Sequence, residues 1–266
     1  MSQLTLTKHH GLGNDFLVVF DPPQSDLAQF ARQVCDRRLG IGADGLLAGT
    51  AADGYAARMV LFNADGSRAE ISGNGIRCFA QAIAMRTGSL ESQLILTDAG
   101  PRLVQLVPGE HADQILASVE MGTVEPIGEP ADWHRIGADP NRPVAHVSLG
   151  NPHTVVGVED VTAVDLQTLG MTIPYVNLEI IEPGPEPHGI TMRVHERGAG
   201  ITAACGSGAC ASAWAAASWG LVPTTSSEIV VHMDGGDATV RLNHPAVGRV
   251  TLTGPAVFIG TVTVSI

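Results

Sequence analysis

The sequence predicts an α+β fold of two pseudo-symmetric domains, each a curved, mainly antiparallel β-sheet or barrel around one central α-helix. Three observations lead to this prediction. A thirteen-residue phrase occurs twice, short strand-type runs fill most of the chain, and an Ala-rich helical stretch directly follows each copy of the phrase. Repetition at a fixed offset is typical of duplicated structural units.

The repeated phrase reads Asn63-Ala-Asp-Gly-Ser-Arg-Ala-Glu-Ile-Ser72-Gly-Asn-Gly75 in its first copy and Glu196-Arg-Gly-Ala-Gly-Ile-Thr-Ala-Ala-Cys205-Gly-Ser-Gly208 in its second. The serine of the first copy is a cysteine in the second, 133 positions later. A second echo, offset by 137 positions, pairs residues 12–19 with residues 149–156. We therefore predict domains at 1–117 and 118–266, with a last strand of about 256–266 packing back on the first.

Most of the predicted elements are strands, because apolar and polar residues alternate between Gly, Pro, Asp or Asn boundaries. In the first half these runs are Gln3–Lys8, Phe16–Phe20, Arg58–Asn63, Gln93–Thr97, Arg102–Val107 and Gln114–Met121. In the second half they are His146–Leu149, Thr154–Val158, Glu179–Glu182, Gly189–Val194, Ser227–His232, Ala238–Leu242, Arg249–Gly254 and Ala256–Val264.

The predicted helices are few. Apolar residues at helical spacing indicate one helix that Ser25 caps and that continues to Arg38. The central helices are predicted from about Asn74 to Arg86 and from Ser207 to Trp219, each stopping at a glycine. The second is apolar on nearly every side, which is typical of a helix inside a core.

Composition narrows the classes of partner. A net charge of −12 argues against nucleic acid and anionic membrane surfaces, which leaves small molecules or proteins. The four cysteines and ten histidines show no metal-ligand spacing, so we predict no metal site. Residues 1–10 lack an apolar run behind a charged start, and we expect a cytoplasmic protein.

Each repeated phrase places a nucleophile-type side chain directly before Gly-x-Gly at a helix start. Backbone N–H groups and the helix dipole favour an anion there, and the same field is expected to drive Cys205 toward thiolate. Two such starts would flank the α-carbon of one carboxylate ligand, in an active site between the domains. The alternative interpretation is that Gly-x-Gly only forms a tight turn into the helix. The presence of two matched copies argues against it.

Five motifs run through the chain in order: Lys8–Phe16, Gly40–Leu46, Asn63–Cys78, Gly150–His153 and Glu196–Ala211. In these motifs the chain resembles the diaminopimelate epimerase family nearly from end to end. The resemblance implies a cofactor-independent isomerase of lysine and peptidoglycan precursor synthesis, expected to be a homodimer. One cysteine thiolate takes the α-proton and the other thiol delivers a proton to the opposite face.

The resemblance also implies roles for individual residues. Cys205 matches the second catalytic cysteine, and Ser72 stands at the position of the first. His153 and Glu196 match residues that tune the thiols. The matched substrate-binding positions are Asn14, Asn63, Gly73, Asn74, Asn151, Asn177, Glu196, Arg197, Gly206 and Ser207. Gly45 replaces a glutamine contact found in some members, and Ile201 replaces a glutamate found in many.

Ser72 leaves the turnover of this sequence open, because a hydroxyl is a far weaker acid than a thiol. Three explanations compete: an engineered change that blocks turnover, a natural serine or serine-bound water that relays the proton, and a one-thiol relative. Such a relative would catalyse β-elimination or another isomerisation, in which only one face needs a base. A further hypothesis, that the chain only binds an amino acid, is disfavoured by Cys205 beside Glu196.

Overall fold

A computed structural model of the chain describes residues 3–23, 26–223, 225–244 and 248–265. The chain divides into two compact units, Met1–Val119 with Gly254–Ile266, and Glu120–Thr253. Each unit is mainly β-strand around a buried helix, so the predicted α+β class is confirmed. Across the described ranges no helix is both long enough and apolar enough to cross a membrane.

The elements alternate between strands and a few helices. The strands are β1 Gln3–Gly11, β2 Asn14–Phe20, β3 Gly45–Thr50, β4 Ala57–Asn63, β5 Arg68–Ala69, β6 Gln93–Thr97, β7 Gly100–Pro108, β8 Gln114–Thr123, β9 Glu125–Pro126, β10 Val144–Ser148, β11 Pro152–Gly157, β12 Asn177–Pro183, β13 Gly189–Glu196, β14 Gly200–Thr202, β15 Glu228–Met233, β16 Gly236–His244 and β17 Arg249–Ser265. The α-helices are α1 Leu27–Cys35, α2 Gly73–Thr87, α3 Leu166–Thr172 and α4 Gly206–Trp219, with a 3₁₀-helix at Trp133–Ile136.

The two units repeat one order of elements. In the first unit, β2 runs antiparallel to β1 and parallel to β3, while β4 runs antiparallel to β3 and parallel to β6. In the second unit, β11 runs antiparallel to β10 and parallel to β12, while β13 runs antiparallel to β12 and parallel to β15. The short helices α1 and α3, and the long helices α2 and α4, occupy matching places in this order. This topology agrees with the duplication seen in the sequence.

Each long helix is the centre of its own unit. Helix α2 contacts β1, β2, β4 and β7, and α4 contacts the strands β10–β13, β15 and β16. Both helices are almost completely buried over their first ten residues. Their observed bounds lie within one residue of the predicted ones, because a side-chain cap begins each helix and a left-handed glycine ends it at Gly88 and Gly220.

Two predicted strands form a single strand in the structure. The runs Arg249–Gly254 and Ala256–Val264 form one strand, β17, which pairs with β16 up to Thr253 and with β1 from Val257 onward. Pro255 lies where the partner changes, so its missing N–H does not interrupt either ladder.

The first predicted helix is shorter than expected. Ser25 lies outside the described residues, and the side chain of Asp26 caps α1 by accepting a hydrogen bond from Gln29 N at 3.1 Å. The helix ends at Cys35 rather than Arg38, because the Asp36 carboxylate accepts from the next backbone N–H groups. Strand β3 and helix α3 were not predicted from the sequence.

The hairpin of β15 and β16 carries a histidine between two carboxylates. His232 Nδ1 lies 2.8 Å from Asp237, and Nε2 lies 3.0 Å from Glu186. Burial lowers the pKa of His232, but the hydrogen bonds to Asp237 and Glu186 outweigh it and raise the pKa above the ordinary value.

We expect this cluster to stabilise the fold mainly at acid pH. A raised folded-state pKa gives stability that is fully present below the ordinary histidine pKa and is lost as pH rises through the folded value. His232→Asn should therefore lower the free energy of unfolding by about 0.5–1 kcal/mol more at pH 5.5 than at pH 9. Urea unfolding of both proteins at both pH values measures this, and an equal loss at both would contradict it.

Candidate active site

Ser72 and Cys205 are the N-caps of the two central helices. Ser72 Oγ accepts a hydrogen bond from Gly75 N at 3.0 Å, and Cys205 Sγ accepts from Gly208 N at 3.4 Å. Their backbones are nearly identical, with φ −133° and ψ 125° at Ser72 and φ −126° and ψ 113° at Cys205. The serine and the cysteine therefore occupy one geometry, and only the reactive atom differs.

The predicted lowering of the pKa of Cys205 is wrong. Only 4% of this residue is exposed, and burial raises the pKa of its thiol well above the ordinary value, as do the carboxylates of Glu196 and Glu179. Hydrogen bonds from Gly208 N and from Ser207 lower the pKa, but by less. The sequence showed the helix start. The exclusion of water from the thiol and the proximity of two carboxylates depend on tertiary packing.

Glu196 is the carboxylate beside the thiol. Its pKa is raised, chiefly by burial, and the Cys205 side chain hydrogen-bonds to it. The hydroxyl of Thr202 donates to Glu196 Oε1 at 2.5 Å and fixes the carboxylate in place. A thiol and a carboxyl whose pKa values are both raised can exchange one proton over a short distance.

Three other predicted residues join Cys205 in the second unit. Ser207 Oγ lies 3.6 Å from Cys205 Sγ, Asn151 Nδ2 donates to Ser207 Oγ at 3.2 Å, and His153 Nε2 lies 3.1 Å from Asn151 Oδ1. His153 is completely buried. The echo Gly150-Asn-Pro-His153 is thus connected to the second helix start by side-chain hydrogen bonds.

Asn177 and Arg197 lie next to each other at strand ends. Asn177 Oδ1 accepts from Arg197 N at 2.8 Å, and its Nδ2 donates to Pro152 O at 3.3 Å. Asn177 is 4% exposed, so it holds the turn that carries the exposed Arg197 side chain. The guanidinium of such a residue suits a carboxylate group of a ligand.

In the first unit, Asn14 and Asn74 form one amide network. Asn74 Nδ2 donates to Asn14 Oδ1 at 3.2 Å, and Asn14 Nδ2 donates to Asp44 Oδ2 at 2.7 Å. Arg77 Nη2 donates to Asn74 Oδ1 at 2.7 Å and Nη1 donates to Gly73 O at 3.0 Å. The fully buried Arg77 therefore fixes both Asn74 and the start of α2.

Asn63 and Gly45 are paired across β3 and β4. Asn63 Nδ2 donates to Ser67 Oγ at 3.0 Å, within its own turn. A Cβ on Gly45 would lie 2.7 Å from Phe62 O, so this backbone has no room for a glutamine side chain at position 45. Ile201 is 40% exposed.

Sequence reasoning did not single out Asp44, Arg77, Thr202 or Glu179. Asp44 and Arg77 lie inside motifs that carried the family resemblance, but nothing in the motifs shows that they hold other side chains in place. Glu179 had a detectable signal, since it is an acidic residue inside the apolar run of β12. An isolated charge in a buried strand usually has a partner.

The remaining cysteines are buried within the units, as expected for packing residues. Burial raises the pKa of Cys35 and of Cys78 to about 12. Cys210 is also fully buried. Among the described residues no group of three His, Cys, Asp or Glu side chains could hold a metal ion.

Comparison with known proteins agrees with this geometry. The family model described as diaminopimelate epimerase matches residues 6–127 and 145–259. A diaminopimelate epimerase from Halothermothrix orenii is 35% identical over 96% of this chain and 95% of its own.

Solved structures share the fold at low sequence identity. A phenazine biosynthesis protein of the PhzF family from Bacillus anthracis has a TM-score of 0.77 at 16% identity, covering 100% of both chains. A hydroxyproline epimerase from Agrobacterium vitis, with bound trans-4-hydroxy-L-proline, has a TM-score of 0.74 at 14% identity, covering 99% of this chain and 93% of its own.

The family model and the relative from Halothermothrix orenii give the class of the chain, the cofactor-independent amino-acid epimerases, which are isomerases, and the fold agrees with it. The length and identity of the matches then decide the family. The chain belongs to the diaminopimelate epimerase family.

Proposed function

We propose that the protein interconverts LL- and meso-diaminopimelate by proton transfer at the α-carbon, in lysine and peptidoglycan precursor synthesis. The observation that carries the proposal is Cys205, a buried thiol that caps a helix and contacts the carboxylate of Glu196, in a chain of this family. We also propose a cytoplasmic homodimer.

The proton chemistry begins at Cys205. Because its pKa is raised, the Cys205 thiol keeps its proton until the adjacent carboxylate of Glu196 accepts it. The resulting thiolate is stabilised by Gly208 N and the Ser207 hydroxyl, and it takes the α-proton from one face. The group at position 72 has the complementary role at the opposite face.

We assign ligand roles by the chemistry of each side chain. Gly73 and Asn74, and likewise Gly206 and Ser207, lie at helix starts and suit the carboxylate at the reacting carbon. Arg197 suits the distal carboxylate. Side-chain amides both donate and accept hydrogen bonds, so they suit the ammonium and the carboxylate at the distal end of the ligand. We assign this role to Asn14, Asn63, Asn151 and Asn177. In this arrangement Glu196 contacts both the thiol and the ligand.

Deuterium exchange tests the proposal. The protein is incubated with LL- or meso-diaminopimelate in D₂O, and NMR follows the α-proton signal and the ratio of isomers. We expect exchange at the α-carbon that depends on Cys205, with epimerisation slower than exchange if Ser72 is a poor proton donor. The matched control is the same incubation with Cys205→Ser.

Other outcomes would identify a different function. Ammonia or a keto acid as product would indicate β-elimination in a one-thiol relative. Binding without exchange would indicate a binding protein or a silenced enzyme. If neither isomer binds and Arg197→Ala changes nothing, the proposed substrate is wrong.

A further inference from the structure

A buried pair of polar side chains, His153 and Glu179, lies in the second unit. His153 Nδ1 is 2.7 Å from Glu179 Oε1, and both side chains are 0% exposed. Glu179 Oε2 has no hydrogen-bond partner among the described residues. A buried carboxylate with one unpartnered oxygen is costly for folding, so its presence calls for a reason other than packing.

The first unit shows that the fold does not need this pair. In the parallel ladder of β11 and β12, His153 faces Asn177, and Glu179 follows two residues later. In the matching ladder of β2 and β3, Phe16 faces Gly45, and Leu47 follows two residues later. An apolar pair thus stands in the first unit where the second unit has His153 and Glu179.

Glu179 also lies against the start of α4. A Cβ on Gly208 would be 2.6 Å from Glu179 Oε1, whereas a Cβ on Gly75 would be 3.3 Å from Leu47 Cδ2. The carboxylate therefore lies beside the helix start that Cys205 caps, and the two halves of the chain differ there in charge as well as in the reactive atom.

We propose that Glu179 is a positioning residue, whose carboxylate orients His153 and thereby the hydrogen-bond chain through Asn151 and Ser207 that ends at Cys205. Nδ1 of His153 lies 2.7 Å from Glu179 Oε1 and Nε2 lies 3.1 Å from Asn151 Oδ1, so the ring is held at both nitrogens, by the carboxylate on one side and the amide on the other.

The hydrogen-bond chain continues from His153 through Asn151 and Ser207 to Cys205. With its oxygen facing His153, Asn151 donates through Nδ2 to Ser207 Oγ. The hydroxyl hydrogen of Ser207 is then available to Cys205 Sγ, 3.6 Å away, where it stabilises a thiolate. Without Glu179 to hold the ring, His153 can turn; Asn151 then turns its amide and takes that hydrogen bond from Ser207, so Cys205 loses its donor.

The effect on turnover rests on the proposed function, whereas the effect on the histidine ring does not. Glu179→Gln keeps the shape but removes the charge. We expect ¹⁵N NMR of the histidine side chains to show changed signals of both His153 ring nitrogens, because the ring loses the carboxylate that orients it. We expect kcat for α-proton exchange to fall about 10- to 100-fold, with KM changing less than about twofold.

The matched control is Glu182→Gln on the same strand, where Glu182 Oε2 accepts from Val161 N outside the chain to Cys205. It should change neither the ring signals nor kcat. Glu179→Asp, which keeps a carboxylate on this strand, should alter the ring signals less than Glu179→Gln, and His153→Gln assigns the signals. An unchanged ring in Glu179→Gln, or an equal loss of kcat in both glutamine variants, would overturn the inference.

The double variant His153→Phe with Glu179→Leu copies the first unit and tests the pair without a lone buried charge. We expect it to fold at least as stably as the parent in urea unfolding. A large loss of stability would show that the pair serves folding and would overturn the inference. If the parent shows no exchange but the ring responds as expected, only the proposed function fails.

Discussion

Replacing Cys205 with serine is expected to reduce α-proton exchange on diaminopimelate by about 10²–10⁴-fold, because a serine hydroxyl is a poor base at neutral pH. The fold should be retained. Ser72 already caps a helix with nearly the same backbone angles, so a serine oxygen can accept the Gly208 N–H. Exchange rates from proton NMR, together with urea unfolding curves, measure the two effects separately.

Cys210→Ser is the matched control for this variant. Cys210 lies on the same helix, five residues after Cys205, and is completely buried. We expect it to lower the free energy of unfolding, through burial of a hydroxyl, while exchange in the folded protein changes little. If Cys205→Ser exchanged the α-proton at the parent rate, Cys205 would not be the base.

Ser72→Cys is expected to raise the rate of epimerisation by about 10²–10⁴-fold, because a thiol replaces a much weaker acid at the second face. The geometry at position 72 accepts the larger atom, since Cys205 caps α4 with Sγ 3.4 Å from the N–H of Gly208. Stability should fall slightly, because sulfur is a weaker acceptor than the serine oxygen. The measurement is isomer interconversion with Ser and with Cys at this position.

Ser72→Ala separates a proton relay from a simple cap. Removing the cap should lower the free energy of unfolding by about 1 kcal/mol. If epimerisation also falls well below that of the parent, the serine or a water bound to it relays the proton. No rise with Ser72→Cys would contradict the view that this serine disables the enzyme, and would mean that the protein has another proton route.

The bounds of the two central helices could be predicted from local sequence. Their starts at Gly73 and Gly206 and their ends before glycine were predicted to within a residue, because caps and stop signals act over only a few neighbours. Strand β3 was missed, since its run Gly-Leu-Leu-Ala-Gly-Thr has neither alternation nor β-branched residues before its last position. It forms a strand because β2 and β4 pair with it on both sides.

Some features of the candidate site could likewise be predicted from the sequence, and others depend on the tertiary structure. The sequence by itself determined the repeated phrase, the two helix starts and the serine at position 72 where the second copy has Cys205, since each is written in a continuous stretch of residues. The tertiary structure alone decided that Cys205 has a raised pKa, that Arg77 fixes Asn74, and that His153 meets Glu179. These depend on burial and on strand register, which bring together residues far apart in the chain and which a linear pattern does not contain.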